Sequence, residues 1–296
     1  MSTEVSNVVV VGVTGAGDNT AALRFAVQYA QRHGSTVRLV HALHQLLPSS
    51  TPSPFLNDDD LKSLGERLVA GAEAELADIA GEMHVAVQST TTVAKGMPSR
   101  VLATLGADAR LVVLAHRSLG RLTRVFTGST AARLAARADT PVVSVPSHWK
   151  PASTPGRVTV GVHENGAPPE VLAAAFEAAA DLGANLHVLL AWRIDSMYAD
   201  LIEQRVEEAW KGPVAEHLRS QVEAVRADHP SVTYELDVLH AWPEEALLRA
   251  AETSDMLVVG RQGSTASEPG HLGHLARMLI REAPCPVLVV PPRAVQ

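Results

Sequence analysis

Short β-branched runs alternate along the chain with longer stretches whose apolar positions recur at helical spacing. In the first half the runs predict strands near 7–13, 36–42, 84–93, 110–115 and 141–145, with helices near 18–33, 58–80, 98–107 and 128–138. In the second half they predict strands near 157–162, 186–191, 232–238, 255–259 and 286–290, again with helices between. Asn7–Val13 and Leu257–Val259 are apolar without alternation, the pattern of parallel strands buried on both faces. Strand–helix alternation implies right-handed crossovers and a doubly wound α/β sheet. The acidic run Asp58-Asp-Asp60 falls where a helix begins, so capping and dipole compensation account for it.

The pattern occurs twice. Pro141-Val-Val-Ser-Val-Pro146 matches Pro286-Val-Leu-Val-Val-Pro291 at an offset of 145, and Leu111–Ala115 matches Met256–Gly260 at the same offset. Pro98 and Pro243, each opening a helical pattern, fit it too. Val8-Val-Val-Val-Gly-Val13 against Val158-Thr-Val-Gly-Val162 shows a shift of 149, so the second copy is shorter by about four residues early on. The expected domains are 1–146 and 157–296, with a linker over 147–156 whose Pro, Ser and Gly suit neither helix nor central strand.

Composition narrows the function classes. Of 296 residues, 46% are hydrophobic and 19% charged, which is globular, and only 4% are aromatic, so Val, Leu and Ala must fill the core. The formal net charge of −7 gives no overall attraction to nucleic acid or anionic lipid. No run reaches the ~18–20 apolar residues of a membrane span, and Met1–Asn7 lacks a basic leader. The expectation is a cytoplasmic protein with no nucleic-acid or membrane partner. Its single cysteine, Cys285, precludes an internal disulfide and reads as a buried structural thiol.

Ligands of doubly wound sheets bind beyond the carboxyl ends of the strands, where strand order reverses. The loop after the fourth strand is therefore informative in each copy. The first reads Ala115-His-Arg-Ser118-Leu-Gly120 and ends Gly128-Ser129-Thr130; the second reads Gly260-Arg-Gln-Gly263 and ends Gly273-His274. Each runs into a helix whose free N–H groups and dipole favour an anion, and glycine permits close approach of a phosphate.

These residues carry a resemblance. The spacing Gly-x2-Gly-x9-Gly-Ser/Thr, between a strand ending in Val-Val and a helix leading to Pro-Val-x-Val, resembles the universal stress protein family. The whole chain is similar to its tandem-domain, actinobacterial type. The resemblance implies a five-stranded parallel sheet per repeat, pairing of the repeats through strands 141–145 and 286–290, a homodimer, and regulatory service to an unknown protein partner. It also implies ATP or AMP, with or without Mg²⁺, near Val13, Thr14, Ala42, Leu114, Ala115, Arg117, Ser118, Gly120, Gly128, Ser129 and Thr130. In the second repeat the matching positions are His163, Gly260, Gly263, Gly273 and His274.

Neither repeat carries the full pattern. Ala115 and Ser118 replace two motif glycines, His274 replaces the hydroxyl residue, and Thr14 and His163 stand where the family's binders usually carry Asp. Charge ranks the first repeat higher: it has Arg117, Arg121 and Arg124, whereas the second adds Glu268 and Pro269 to Arg261. Gly12-Val-Thr-Gly15-Ala-Gly17 fails as a dinucleotide fingerprint at its third glycine, and a second strand ending at His41 offers no acid for a ribose. His271-Leu-Gly-His274 lies after the wrong strand for a nucleotidyltransferase motif, and no histidine set has zinc spacing. Nothing spells a catalytic set. Three readings stay open: a non-enzymatic nucleotide-responsive regulator, a nucleotide-independent scaffold, and a slow ATPase.

Overall fold

A computed structural model of the chain describes residues 6–15, 19–44, 58–116, 130–152, 154, 156–163, 166, 168–193, 199–261 and 272–292. The chain divides into two compact units between Lys150 and Pro151.

Unit 1 contains, in chain order, β1 (Val8–Gly12), α1 (Thr20–His33), β2 (Thr36–Leu43), α2 (Asp58–Glu82), β3 (Ser89–Lys95), α3 (Pro98–Leu105), β4 (Leu111–His116), α4 (Thr130–Ala135) and β5 (Val142–Pro146). Its strands run parallel in the order β3-β2-β1-β4-β5. Order reverses at β1, whose neighbours are β2 on one side and β4 on the other.

Unit 2 repeats the sequence of elements with β6 (Arg157–Val162), α5 (Pro169–Leu182), β7 (Asn185–Trp192), α6 (Ala199–Arg226), β8 (Tyr234–His240), α7 (Pro243–Ala251), β9 (Met256–Gly260), α8 (His274–Glu282) and β10 (Val287–Val290). Its parallel order is β8-β7-β6-β9-β10, with the reversal at β6.

Aliphatic side chains form both cores. Val9, Val10 and Val11 of β1 are fully buried, as are Val158 and Val160 of β6, because helices cover both faces of a parallel sheet. The helices start and stop by matched devices. α1 and α5 end on Gly34 and Gly183, each left-handed at φ 61°, the conformation glycine adopts without a Cβ penalty. α3 and α7 open on Pro98 and Pro243, where the missing N–H is no loss.

Several boundaries differ from the sequence expectation. The third strand starts at Ser89, not 84. His84 is left-handed at φ 56° and closes α2, with the Val85 N–H donating to the Ala80 carbonyl at 3.0 Å, so residues 84–88 serve the helix end. The second strand runs on past His41 to Leu43, and the fourth to His116. α4 ends at Ala135, short of 138.

Candidate functional site

At the switch point of unit 1, Gly12 pairs with Leu114 on one side and Val40 on the other. Gly12 is glycine for packing: a Cβ there would collide with Leu114 Cδ2 and lie 3.0 Å from Leu102 Cδ1. Val13 is buried and its N–H donates to the Val40 carbonyl at 2.9 Å, while its own carbonyl lies 3.0 Å from His41 Nδ1. Thr14 is exposed, but its backbone is held. Its N–H donates to Asn19 Oδ1 at 3.0 Å, and Asn19 Nδ2 donates back to the Thr14 carbonyl at 2.9 Å. The buried Asn19 thus clamps the turn entering α1 from within.

The neighbouring strand end carries buried Leu114 and half-buried Ala115, which pair with Ser144 and Val145 of β5. Ala42 lies on β2 opposite Ala94. Fold topology therefore brings Val13, Thr14, Leu114 and Ala115 to adjacent strand ends, with Ala42 on the same carboxyl edge one strand outward. Thr130 is the half-buried first residue of α4. Arg117, Ser118, Gly120, Arg121, Arg124, Gly128 and Ser129 lie outside the described residues, as do Gly263, Glu268, Pro269 and His271.

Unit 2 builds the corresponding edge differently. His163, directly after β6, forms an antiparallel bridge with Gly166, whose N–H donates to the His163 carbonyl at 2.8 Å. Gly166 has φ 93°, and a Cβ there would strike the Gln221 side chain of α6. Gly260 closes β9 opposite Val290, and its missing side chain is matched by Val171 Cγ2, 3.0 Å from where a Cβ would be. The sequence reading gave that glycine to phosphate approach; in the fold it also lets α5 pack closely on β9. Gly273 is the N-cap of α8 with no side-chain cap, and the first turn holds no acid. His274 is 86% exposed and its Nδ1 sits 3.8 Å from Glu244 Oε1 of α7. The exposed ring thus lies beside that carboxylate.

Neither α1, entered through Asn19, nor α8, entered through Gly273, has a side-chain cap, so both helix starts present backbone N–H groups without one. Among the described residues no three His, Cys, Asp or Glu side chains gather to hold a metal ion. No described helix is long and apolar enough to cross a membrane. Cys285 is buried, and burial pushes its thiol up to about 12.

The sequence reading passed over one cluster. At the carboxyl ends of β7 and β8, Trp192 and His240 face each other in register with ring centroids 4.7 Å apart. Beside them the Arg193 guanidinium lies 5.1 Å over the Trp242 ring. The available signal was Trp192 directly after a predicted strand, with Trp242-Pro243 standing where the first repeat has Met97-Pro98.

The profile of the universal stress protein family matches residues 6–146 and again 155–291. The chain belongs to the universal stress protein family. Full-length relatives have the same tandem arrangement. A universal stress protein of Mycolicibacterium smegmatis is 29% identical over 96% of this chain and 97% of its own length. Universal stress protein Rv1996 of Mycobacterium tuberculosis is 27% identical over 98% and 96%. Among solved structures, a universal stress protein from Archaeoglobus fulgidus aligns with TM-score 0.66 at 14% identity, covering 98% of both chains. A functionally unknown protein, PA1789, from Pseudomonas aeruginosa aligns at 0.64 and 16%, covering 98% of this chain and 94% of that one. At such identities the structural likeness speaks for the fold.

Proposed function

We propose that this universal stress protein is a non-enzymatic regulator that binds an adenine nucleotide, ATP or AMP, at the carboxyl edge of its sheets, chiefly in unit 1. The observation that carries the reading is the convergence of Val13, Thr14, Leu114 and Ala115 on adjacent strand ends at the reversal of strand order. The sequence that follows β4 directly carries Arg117, Arg121 and Arg124, cations suited to a phosphate. Nucleotide occupancy then biases the shape or assembly that a protein partner meets in the cytoplasm.

Isothermal titration with ATP and AMP, with and without Mg²⁺, tests this. Binding that weakens in Arg117→Ala and Ser129→Ala is the expected result. No heat and no thermal shift at millimolar nucleotide would end the proposal.

A second reading has its own support. The Asn19 clamp engages both backbone groups of Thr14, and Val171 takes the space beside Gly260, as expected of edges kept only for structure. A scaffold acting through protein contacts alone would purify without nucleotide and give no thermal shift. Nucleotide released from the purified protein at near one per repeat excludes it.

A further inference from the structure

The two units share a backbone joint at the carboxyl edge and furnish it differently. In unit 1 the Gly96 N–H donates to the Leu43 carbonyl at 3.0 Å; in unit 2 the Ala241 N–H donates to the Trp192 carbonyl at 3.1 Å. The next residue is Met97 or Trp242, each extended at the start of a helix that opens on proline, with φ −65° and −62° and the same ψ of 126°. Both side chains remain exposed, Met97 at 37% and Trp242 at 38%. Around this common joint unit 1 places Leu43, His44 and Met97. Unit 2 places Trp192, Arg193 and Trp242.

The substitution is selective. The chain holds only four tryptophans in 296 residues, and two of them belong to this joint, Trp192 accepting its hydrogen bond and Trp242 following the donor. Trp192 is explained by packing: with Leu190, Leu218 and Val238 it forms a core cluster, and His240 covers its ring. Trp242 has no such role. An exposed indole with a guanidinium stacked on it offers an aromatic face and an anion-pairing rim together. Arg193 follows β7 directly and Trp242 follows β8 after Ala241, both at the carboxyl edge, and β7 is the strand beside β6, where the order reverses.

We infer that Trp242 and Arg193 form a stacking platform in unit 2 for the planar heterocycle of a nucleotide, with the guanidinium favouring its phosphate. The inference rests on the nucleotide-binding reading and moves base recognition to the unit that the motif ranked second.

Intrinsic tryptophan fluorescence and calorimetry on the full chain test it, with AMP, adenosine and inorganic pyrophosphate as probes. AMP and adenosine are expected to quench the emission, and pyrophosphate to leave it unchanged. Trp242→Ala should bind adenosine about tenfold more weakly, the scale of losing one base–aromatic stack. Trp242→Phe, which retains a ring, should keep most of the affinity in calorimetry and lose the quench, while Trp149→Phe keeps both. Arg193→Ala should erase the preference for AMP over adenosine. Equal adenosine affinity in wild type and Trp242→Ala, both folded by circular dichroism, overturns the platform. If ATP binding is then still lost in Arg117→Ala, the unit 1 reading survives alone. Absence of binding by any nucleotide overturns both.

Discussion

Thr159 Oγ1 lies 2.7 Å from Ser254 Oγ in the core of unit 2, joining β6 to the end of α7. The same hydroxyl is 3.3 Å from His187 Nδ1, and His187 Nε2 is 2.9 Å from Asp237 Oδ2. Ser254 in turn donates to the Ala250 carbonyl at 2.7 Å. Thr159 is fully buried, so no water replaces these bonds. At the matching positions unit 1 has Val10, Ala109 and Arg38, whose guanidinium donates to the Leu105 carbonyl at 3.1 Å. The repeats thus fill one location by two chemistries. Thr159→Val should cost about 1–3 kcal/mol in urea unfolding, because it keeps the volume, leaves His187 Nδ1 without its hydroxyl partner and leaves Ser254 only its bond to the Ala250 carbonyl. A double-mutant cycle with Ser254→Ala should show coupling; strict additivity would mean that the contact contributes nothing.

Packing at the strand ends sets the cost of adding a methyl group. At Gly12 a Cβ collides with Leu114 of the adjacent strand, whereas at Gly161 the nearest atom is Leu247 Cδ1 at 3.0 Å. Gly12→Ala should therefore destabilise by about 1–3 kcal/mol and Gly161→Ala by less. Denaturant midpoints measured side by side decide the order; an equal or reversed order contradicts the packing account.

Left-handed helix ends make opposite predictions at three positions. Gly34 and Gly183 have φ 61°, so alanine at either should cost about 1 kcal/mol. His84 adopts φ 56° with a side chain, so His84→Gly should raise stability by about 0.5–1 kcal/mol. Thermal melts of the three variants check the signs.

Cys285 gives the chain an alkaline sensitivity. Burial holds the folded thiol up to about 12, while an unfolded chain ionises near its ordinary 9.0. Above that value the unfolded state binds fewer protons than the folded one, so stability falls as pH rises through this window. Melting of wild type and Cys285→Ala compared from about pH 8 to about pH 11 should show the wild type losing more. The native thiol should also resist thiol reagents at neutral pH. Rapid labelling without unfolding would contradict its burial.

Much of the fold was legible in sequence because parallel strands buried on both faces leave uninterrupted Val-rich runs, and duplication printed the pattern twice. Boundaries slipped where backbone conformation, not hydrophobicity, decides them, as at His84, which ends a helix inside an apparent strand. The positions of candidate residues at strand ends were readable from their place in the pattern. Their roles were not: nothing in the letters shows that Asn19 occupies the backbone of Thr14, or that Val171 fills the space beside Gly260.

By itself the sequence determined the duplicated α/β architecture, since periodicity and repeat spacing are local properties of the chain. Tertiary structure alone decided which glycines serve packing, how a buried threonine bridges a serine to a histidine, and where Arg193 comes over Trp242. Such contacts join residues far apart in the chain, and only the folding of strands into register makes them neighbours.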